Sequence, residues 1–396
     1  MGNVDTEAKI SAKAQAVKSV KLGRFSFRRP VLLAPMSGVT DLPFRRIVVG
    51  FGADLVVTEM VASESFQKGD AEMALRSAGE GLSPHVVQLA GSEAHWMGEA
   101  ARMAEANGAD IIDINMGCPA RRVTTGWSGA ALMRDLDHAM TLVEATLAAV
   151  NVPVTLKMRL GWDKSSINAP ELARRAESAG VQMITVHGRT RDQFYEGRAD
   201  WSAIRAVRDV ISVPLIANGD VSGFEDADAI LDASGADGLM IGRGACGRPW
   251  LPAAVSRYLA NGQRWAGPEL SELVSLVVRH HAALVDHYGP VKGVLAARKH
   301  LGWYLDAYRD RLGGVMAGGD EAEFTRMRSE LLRASDPNAI AEIIPAIFTL
   351  LSRSAGLSGA SSEADQLRAA HCASAGKTTA TELAEGDAAC QTGRAA

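Results

Sequence analysis

The sequence predicts a TIM barrel, an eight-stranded α/β cylinder, followed by a smaller C-terminal helical domain. Eight short β-type runs recur between residues 31 and 244, separated by loops and helix-like segments. The runs are apolar along nearly their whole length, which is typical of parallel strands that are buried on both faces. Eight such units in roughly 220 residues fit a closed barrel better than an open doubly wound sheet, which is the alternative.

Strand and helix patterns alternate along this region. In chain order the apolar runs are VLLAPM (31–36), DLVVTEM (54–60), HVVQLAG (85–91), DIIDINMG (110–117), PVTLKMRLG (153–161), MITVHGR (183–189), PLIANGD (214–220) and GLMIGRG (238–244). One helical pattern between them, APELARRAESAG, ends in Gly180, and glycine is the preferred residue just beyond a helix C-terminus. No GxGxxG motif opens the first strand–helix turn, which further disfavours a dinucleotide-binding open sheet.

The pattern changes after Trp250. Segments such as ELSELVSLVVRHHAALVDHYG and EAEFTRMRSELLRA have helical period, and no strand-like run interrupts them. The end of the chain is rich in Ala, Ser, Gly and Thr and has few large apolar side chains, so it cannot offset the entropy of ordering. We therefore predict a flexible segment over residues 1–23, a barrel over 24–254, a helical domain over 255–356 and a disordered tail over 357–396.

The bulk composition is that of an ordinary globular chain. Of 396 residues, 47% are hydrophobic and 22% are charged, and the formal net charge of −4 gives no global basic excess for nucleic acid. No segment approaches the ~20 apolar residues of a membrane span, and the lysine-rich N-terminus lacks the apolar core of a secretory signal. The cysteines are too scattered for a metal site or a disulfide framework, which favours a cytoplasmic protein; they are Cys118, Cys246, Cys372 and Cys390.

Polar residues gather where the predicted strands end, and in a TIM barrel these carboxyl ends build the active site. The last two strand ends, Asn218-Gly219-Asp220 and Gly242-Arg243, offer glycines for close backbone approach and a guanidinium for bidentate contact with a phosphate. The alternative is that these glycines only form tight turns. Because the last two strand loops of such barrels commonly bind phosphate, we favour a phosphate site.

Two ionisable residues interrupt apolar strands. Lys157 lies within VTLKMRLG, and His187 lies within TVHGRT. A buried lysine without a partner is unfavourable, so Lys157 would face either an anionic ligand or a salt-bridge partner such as Asp113 or Glu59. His187 would be either a ligand contact or an ordinary core histidine, and its position at a strand end favours ligand contact.

The stretch DINMGCP, residues 113–119, places Cys118 directly after a strand, between a glycine and a proline that stop regular structure. Such a loop would aim the thiol into the barrel mouth and keep the strand from burying it. The alternative is that Cys118 is a small buried apolar residue.

Together these motifs resemble bacterial tRNA-dihydrouridine synthases, and most closely their B-type branch, which is sometimes named after nitrogen regulation. The matching stretches occur in order between Pro30 and Trp250 and are LAPMSGVTDLPFRRI, VTEM, QLAG, DINMGCPARRV, LKMRLGW, VHGRT, IANGD and MIGRGACGRPW. The sequence departs from the family at Arg121 and Arg122, where relatives often carry lysines, and in the tail after Gly356.

The resemblance implies FMN in the barrel mouth, NADPH as reductant and uridine in the D-loop of tRNA as substrate. The residues implied to hold FMN are Pro35, Met36 and Ser37 through backbone groups, Gln88 at the ring edge, Lys157 on the pyrimidine side, His187, and Asn218, Gly219, Asp220, Gly242 and Arg243 around the ribityl chain and phosphate. It also implies that Asn115 positions the substrate base and that Cys118 is the catalytic proton donor.

The implied reaction requires a hydride at C6 of uracil and a proton at C5. The flavin supplies the hydride, and Lys157 would stabilise negative charge on the reduced ring. An ordinary thiol is mostly protonated at neutral pH, so Cys118 is suited to act as a general acid. The activity is then that of an FMN-dependent oxidoreductase acting on CH–CH groups with NAD(P) as partner, and we expect no metal and no obligate protein partner.

A uridine within folded tRNA must be swung out of its stack, and the RNA must be held by its backbone. Candidate RNA contacts are Arg121, Arg122 and Arg189 in the barrel loops and Arg298 and Lys299 in the helical stretch VKGVLAARKHLGWYLDAYRDR. That helical stretch has an alternative interpretation as a solvated face with core aromatics.

Two other functions compete with this one. A flavin barrel resembling the dihydroorotate dehydrogenases would act on a small pyrimidine, but it would have no need of the helical domain. A non-catalytic RNA-binding module would not need the intact set of Cys118, Lys157 and His187.

Overall fold

The computed structural model describes residues 19–354 of the chain, apart from residues 315 and 317. Two compact units divide between Gly267 and Pro268. The sequence predicts this boundary after residue 254, but that position lies inside a helix, Leu251–Asn261, which belongs to the first unit. The predicted tail and residues 1–18 of the predicted N-terminal segment lie outside the described residues.

The first unit contains a closed barrel of eight parallel strands, which confirms the predicted fold class. Two short antiparallel strands, β1 (Ser19–Leu22) and β2 (Phe25–Arg28), precede the barrel. The barrel strands are β3 (Val31–Leu33), β4 (Leu55–Ala62), β5 (Val86–Ala90), β6 (Ile111–Met116), β7 (Val154–Arg159), β8 (Met183–His187), β9 (Leu215–Asn218) and β10 (Gly238–Ile241). Strand β10 pairs with β3 and closes the cylinder.

Helices and loops connect the barrel strands. The helices of this unit are α1 (Leu42–Gly50), α2 (Ser63–Gln67), α3 (Ala71–Ser77), α4 (Ala94–Ala106), α5 (Arg121–Thr124), α6 (Leu136–Ala149), α7 (Ala169–Ala179), α8 (Arg205–Arg208), α9 (Phe224–Ser234) and α10 (Leu251–Asn261). Asp41 caps α1 by accepting a hydrogen bond from the backbone N–H of Phe44. Gly180 follows α7 with a φ of +117°, the left-handed conformation for which glycine is preferred at a helix end.

Side chains alternate along each strand between the barrel interior and the surrounding helices. On β6, Ile112 and Ile114 pack in the outer core with the helices, whereas Asp113 and Asn115 point inward. The outer core accounts for the apolar character of the runs, and the inward positions supply the functional groups.

The interior is apolar at the amino-terminal ends of the strands. Leu32 and Ile111 belong there to a buried cluster that also contains Val20 and Leu22 of β1. The β1–β2 hairpin therefore seals this end of the barrel. The prediction of a flexible segment is wrong for residues 19–22, because the two apolar side chains of β1 are buried.

The second unit is helical, as the sequence predicts. Its helices in the described part of the chain are α11 (Leu270–Tyr288), α12 (Pro290–Arg311), α13 (Gly318–Arg333) and α14 (Pro337–Ser354). A Cβ on Gly293 would lie 2.5 Å from the carbonyl oxygen of Leu284, so this glycine permits the close packing of α11 and α12. In residues 19–354, where described, no helix combines the length and apolarity needed to cross a membrane.

Candidate active site

The carboxyl ends of the barrel strands surround a polar mouth, formed by the loops that follow β3 to β10. The strand register aligns Asn115 with Lys157, Arg159 with His187, and His187 with Asn218. Buried polar side chains therefore replace the apolar interior at this end of the barrel. In a TIM barrel this is the end that carries chemistry.

The loop that carries Cys118 is held on both sides of the cysteine. Asn115 Oδ1 accepts hydrogen bonds from the backbone N–H groups of Gly117 at 3.1 Å and Cys118 at 3.0 Å. Arg159 Nε donates to the Gly117 carbonyl at 2.8 Å, and the Ala130 N–H donates to the Cys118 carbonyl at 3.0 Å. The cysteine is only partly buried, so this loop holds its thiol at the mouth instead of in the core.

A glycine allows the chain to return against Cys118. Gly129 has a φ of +60°, and a Cβ there would lie 2.9 Å from the Cys118 carbonyl oxygen. Only glycine meets both constraints without strain. The segment after the cysteine is therefore folded back onto it.

A buried chain of hydrogen bonds supports Asn115 from below. Thr155 Oγ1 and Gln88 Nε2 donate to the two carboxylate oxygens of Asp113 at 2.6 and 2.7 Å, and Asn115 Nδ2 donates to Gln88 Oε1 at 2.7 Å. Burial raises the pKa of Asp113, and the bonds from Thr155 and Gln88 oppose that shift. Gln88 keeps one amide N–H beyond these contacts.

Lys157 is buried at the mouth without a salt bridge to the described residues. Neither Asp113 nor Glu59, the two alternative partners, lies within ion-pair distance of its ammonium group. Burial and the neighbouring charge of Arg159 lower the pKa of Lys157 to about 8, while Asp113 and Cys118 act in the opposite direction. A buried cation of this kind is suited to an anionic ligand.

Glu59 is bonded to a different part of the mouth. One of its carboxylate oxygens accepts a hydrogen bond from the backbone N–H of Gly38. The loop that contains Pro35, Met36 and Ser37 is further tied by a bond from the Met36 N–H to Thr40 Oγ1 at 2.9 Å. This loop is thus preformed at the edge of the mouth, with Pro35 and Met36 half-buried and Ser37 exposed.

His187 is neutral in this environment. Burial and then the charges of Arg159 and Lys157 lower its pKa well below the usual range. Arg189 Nη1, a donor only, lies 3.2 Å from His187 Nε2, so that nitrogen accepts and Nδ1 carries the proton. Within the described ranges Nδ1 has no hydrogen-bond partner, which leaves one N–H donor for a ligand.

Arg189 is a structural residue of the mouth. It is 1% exposed, and it donates to the carbonyls of Glu196 and Gly197 as well as forming a 2.6 Å ion pair with Asp220. The prediction that Arg189 contacts RNA is not supported by this geometry, because its guanidinium is already bonded inside the protein.

The two predicted phosphate loops lie on neighbouring strands, β9 and β10. Gly219 has a φ of +127°, and a Cβ there would lie 2.6 Å from Ala199 Cβ and 3.2 Å from the His187 ring. Asn218 Nδ2 donates to the Met240 carbonyl at 2.8 Å and ties the two strands together. The two loops are therefore held close together, so that their backbone N–H groups could bind one phosphate.

Positive charge surrounds this cradle. Arg243 is more than half exposed and lies 3.3 Å from Asp220 Oδ1, and its guanidinium is 4.9 Å from the centre of the Tyr195 ring. Asp220 itself has a φ of +56° and is also bonded to Arg189. Gly242 immediately precedes a short 3-10 helix, Arg243–Ala245. These groups could hold a phosphate next to His187.

Arg159 is the main residue of the mouth to which the sequence assigned no role. Besides Gly117, it contacts the carbonyls of Thr190 at 2.8 Å and Phe194 at 2.9 Å. Burial lowers its pKa to about 10. Its two-residue spacing from Lys157 on one strand is the signal that places both side chains on the inward face.

The remaining RNA candidates differ in accessibility. Arg121 and Arg122 are exposed on α5, directly after the Cys118 loop. In the helical unit, Arg298 Nη2 lies 3.4 and 3.3 Å from the carbonyls of Arg333 and Ala334, while Lys299 is half-buried without a hydrogen-bond partner in the described segments. The aromatics Tyr304 and Tyr308 of α12 are buried, in keeping with a core role.

Comparison with known proteins gives consistent results. A family model described as dihydrouridine synthase matches residues 32–317. A probable tRNA-dihydrouridine synthase of Rhizobium leguminosarum bv. phaseoli is 58% identical over 294 residues, covering 74% of this chain and 90% of that protein. One of Rhodobacter capsulatus is 49% identical over 334 residues, covering 84% and 98%. The tRNA-dihydrouridine synthase B of Pseudomonas putida is 44% identical over 290 residues, covering 73% and 86%. These matches confirm the resemblance that the motifs indicate.

Proposed function

This chain belongs to the dihydrouridine synthase family, and from that premise we propose that it reduces the C5=C6 bond of uridines in the D-loop of tRNA, with FMN in the barrel mouth and NADPH as the reductant. The broader activity, tRNA-dihydrouridine synthesis, follows from the family. The observation that carries the finer proposal is the buried Lys157 ammonium, which has no ion-pair partner among the described residues.

The residues of the mouth fit FMN. Lys157 offers a positive charge to an electron-rich ring, and His187 offers the N–H at Nδ1. Gln88 is 0% exposed, so the predicted contact of its amide with the ring edge has less support. Pro35, Met36 and Ser37 would line the ring from the preformed first loop. When bound, FMN would supply the hydride for C6 of the pyrimidine.

The phosphate end of FMN would lie over the β9 and β10 loops. Gly219 and Gly242 allow close approach of the backbone, and Arg243 brings an exposed guanidinium. Asn218 and Asp220 support these loops through their bonds to Met240 and Arg189. A phosphate there would be held by backbone N–H groups and a cation, as is common at this position in such barrels.

Cys118 would supply the second hydrogen. Its thiol would donate a proton to C5 on the face of the base opposite the flavin, and solvent would restore the proton afterwards. Asn115, which the resemblance implies positions the substrate base, would also serve this step by fixing the N–H groups of Gly117 and Cys118 and thereby the thiol. The predicted alternative of a buried, inert Cys118 has less support, because the side chain is only partly buried.

The tRNA must present its uridine to this mouth, and unstacking the base costs a few kcal/mol. Arg121 and Arg122 are exposed beside the cysteine loop and would contact RNA phosphates. The corresponding candidates in the helical unit are Lys299 and Arg298, both of which are half-buried. Since the substrate is tRNA, the cytoplasm is the compartment that we propose.

Two measurements test the proposal. The purified protein should be yellow and release FMN on denaturation, and with NADPH it should convert uridines of unmodified tRNA to dihydrouridine, detected and located by mass spectrometry. A colourless protein that takes up no FMN would contradict the proposal. Turnover of free uracil derivatives without tRNA would favour the small-pyrimidine alternative instead.

A further inference from the structure

Five side chains on the rim of the mouth form one alternating stack of aromatic rings and guanidinium groups. In spatial order the members of this rim stack are Trp127, Arg134, Trp162, Arg191 and Phe194. The Arg134 guanidinium lies 4.9 Å from the Trp127 ring centre and 5.0 Å from that of Trp162. Arg191 lies 4.6 Å from Trp162 and 4.7 Å from Phe194.

The rim stack joins three loops of the mouth. Trp127 and Arg134 follow β6 and its Cys118 loop, Trp162 follows β7, and Arg191 and Phe194 follow β8. Arg191 Nη2 also donates to Thr124 Oγ1 at 3.2 Å, at the end of the helix after the cysteine. All members therefore lie at the carboxyl ends of the strands, on the same side of the barrel as Cys118.

Trp127 ends the stack in an unusual conformation. Its φ is +54°, a left-handed value that bulky residues rarely adopt, and its side chain remains 48% exposed. Packing does not explain a tryptophan here, because burial is incomplete and glycine or asparagine would fit this backbone with less strain. Strained residues of this kind cluster at functional sites.

One face of the Trp127 ring is occupied by Arg134. The other aromatic contacts of the stack lie beyond that arginine, so the exposed part of the indole is a flat apolar surface next to positive charge. Nucleic acid bases stack on such aromatic faces, and the adjacent guanidinium groups suit the phosphates of the same strand. A nucleic acid fits this combination better than a protein partner does, since the two arginines of the stack, Arg134 and Arg191, favour a polyanion.

From these features we infer that Trp127 stacks on a nucleobase of the RNA that flanks the uridine entering the mouth, and that Arg134 and the rest of the rim stack hold the indole in place. This inference rests on the proposed function and adds to it a specific contact that reads the RNA by stacking.

The test compares three substitutions at Trp127. Trp127→Gly and Trp127→Asn remove the ring and suit the left-handed backbone, so their thermal stability should equal or exceed that of the wild type. Their Kd for unmodified tRNA should rise at least about fivefold, the lower range for loss of one base–aromatic stack. Trp127→Phe keeps an aromatic face and should recover most of the affinity.

Val210→Ala is the matched control, because Val210 is 40% exposed and precedes β9 at the amino-terminal end of the barrel. Its tRNA affinity should be that of the wild type. The rate at which NADPH reduces the bound flavin should be unchanged in all the variants, since that step needs no RNA.

The possible failures are distinguishable. If the wild-type protein forms no dihydrouridine in tRNA, the proposed function fails. If the wild type is active and Trp127→Gly and Trp127→Asn bind tRNA as tightly as it does, the stacking inference is overturned while the proposed function stands. Equal loss of affinity in Trp127→Phe would also overturn it, because the effect would then not depend on a ring.

Discussion

Gln88 Nε2 lies 2.7 Å from Asp113 Oδ2, and this bond between two buried side chains determines which way the Gln88 amide faces. Both oxygens of Asp113 accept hydrogen bonds, from Thr155 and from Gln88, so the amide turns its NH2 group to Asp113 and its oxygen to Asn115. Asn115 must then present its own oxygen to the backbone N–H of Cys118. The position of the thiol loop therefore depends on a carboxylate deeper in the barrel.

Asp113→Asn should lower kcat for tRNA without abolishing FMN binding. An asparagine of the same shape offers an NH2 group as well as an oxygen, so the Gln88 and Asn115 amides are free to reverse and release the Cys118 loop. A displacement near 1 Å would cost roughly 10- to 100-fold in kcat. Steady-state kinetics would separate this effect from tRNA affinity, which should change little.

The control is Asp110→Asn, because Asp110 directly precedes β6 at the opposite end of the strand from Cys118. This variant should keep the wild-type kcat. An unchanged kcat in Asp113→Asn would show that the chain of hydrogen bonds does not position the thiol.

The fold was predictable because its signal is repeated. Each apolar run overlaps one barrel strand, although β4 continues to Ala62, and eight repeats of strand and helix leave few other architectures. The β1–β2 hairpin was missed because its strands are short and Lys21 and Arg28 lie among the apolar residues. Only the barrel above it explains why Val20 and Leu22 are buried.

The sequence predicted which residues lie at the strand ends, but it did not predict which side chains bond to each other there. The strand register places His187 beside Asn218, and Lys157 lies two residues before Arg159, the residue aligned with His187 on the neighbouring strand. The sequence could not show that Arg189 is neutralised by Asp220, because that pair joins loops after different strands. Nor could it distinguish a salt-bridged Lys157 from one without a partner, since this depends on distances across the barrel.

Cys118→Ala should leave FMN bound and reducible by NADPH, but it should lower dihydrouridine formation by about 100- to 10,000-fold, the usual contribution of a general acid. The loop should keep its shape, because its bonds to Asn115, Arg159 and Ala130 are made by backbone groups. Stopped-flow flavin reduction and mass spectrometry of the tRNA measure the two halves of the reaction separately. Cys246→Ala is the thiol control and should retain turnover. Wild-type turnover by Cys118→Ala would remove this cysteine from the chemistry.

The affinity for FMN should fall as pH rises above 8. Burial and Arg159 lower the pKa of Lys157 to about 8, so its ammonium loses its proton in this range, whereas an anionic ligand favours the charged form. Binding is then coupled to proton uptake, and Kd should increase by up to about tenfold per pH unit above that value. Equilibrium titration of the apoprotein with FMN between pH 7 and 9.5 would show this.

Lys157→Met should bind FMN more weakly, and its Kd should depend less on pH. Lys21→Met, in the hairpin at the other end of the barrel, should behave as the wild type. Identical profiles for Lys157→Met and the wild type would exclude this lysine as the source.

Acid should destabilise the helical unit more steeply than its surface charges would predict. His280 and His300 are buried with their rings 4.7 Å apart, and His280 Nδ1 is 3.1 Å from the Tyr304 hydroxyl. Burial, together with His281, lowers the pKa of His280 from 6.5 to about 3; burial, His280 and Lys299 lower that of His300 well below its usual range. Below pH 6.5 the unfolded chain therefore binds protons that the folded unit does not, and stability should fall with decreasing pH by up to about 1.4 kcal/mol per pH unit for each histidine.

Hydrogen exchange of α11 and α12 at pH 7 and pH 5.5 measures this loss of stability. His280→Gln should reduce the pH dependence whatever its stability at pH 7, and His95→Gln, an exposed histidine of α4, should not. If His280→Gln keeps the full wild-type slope, His280 does not cause the acid sensitivity.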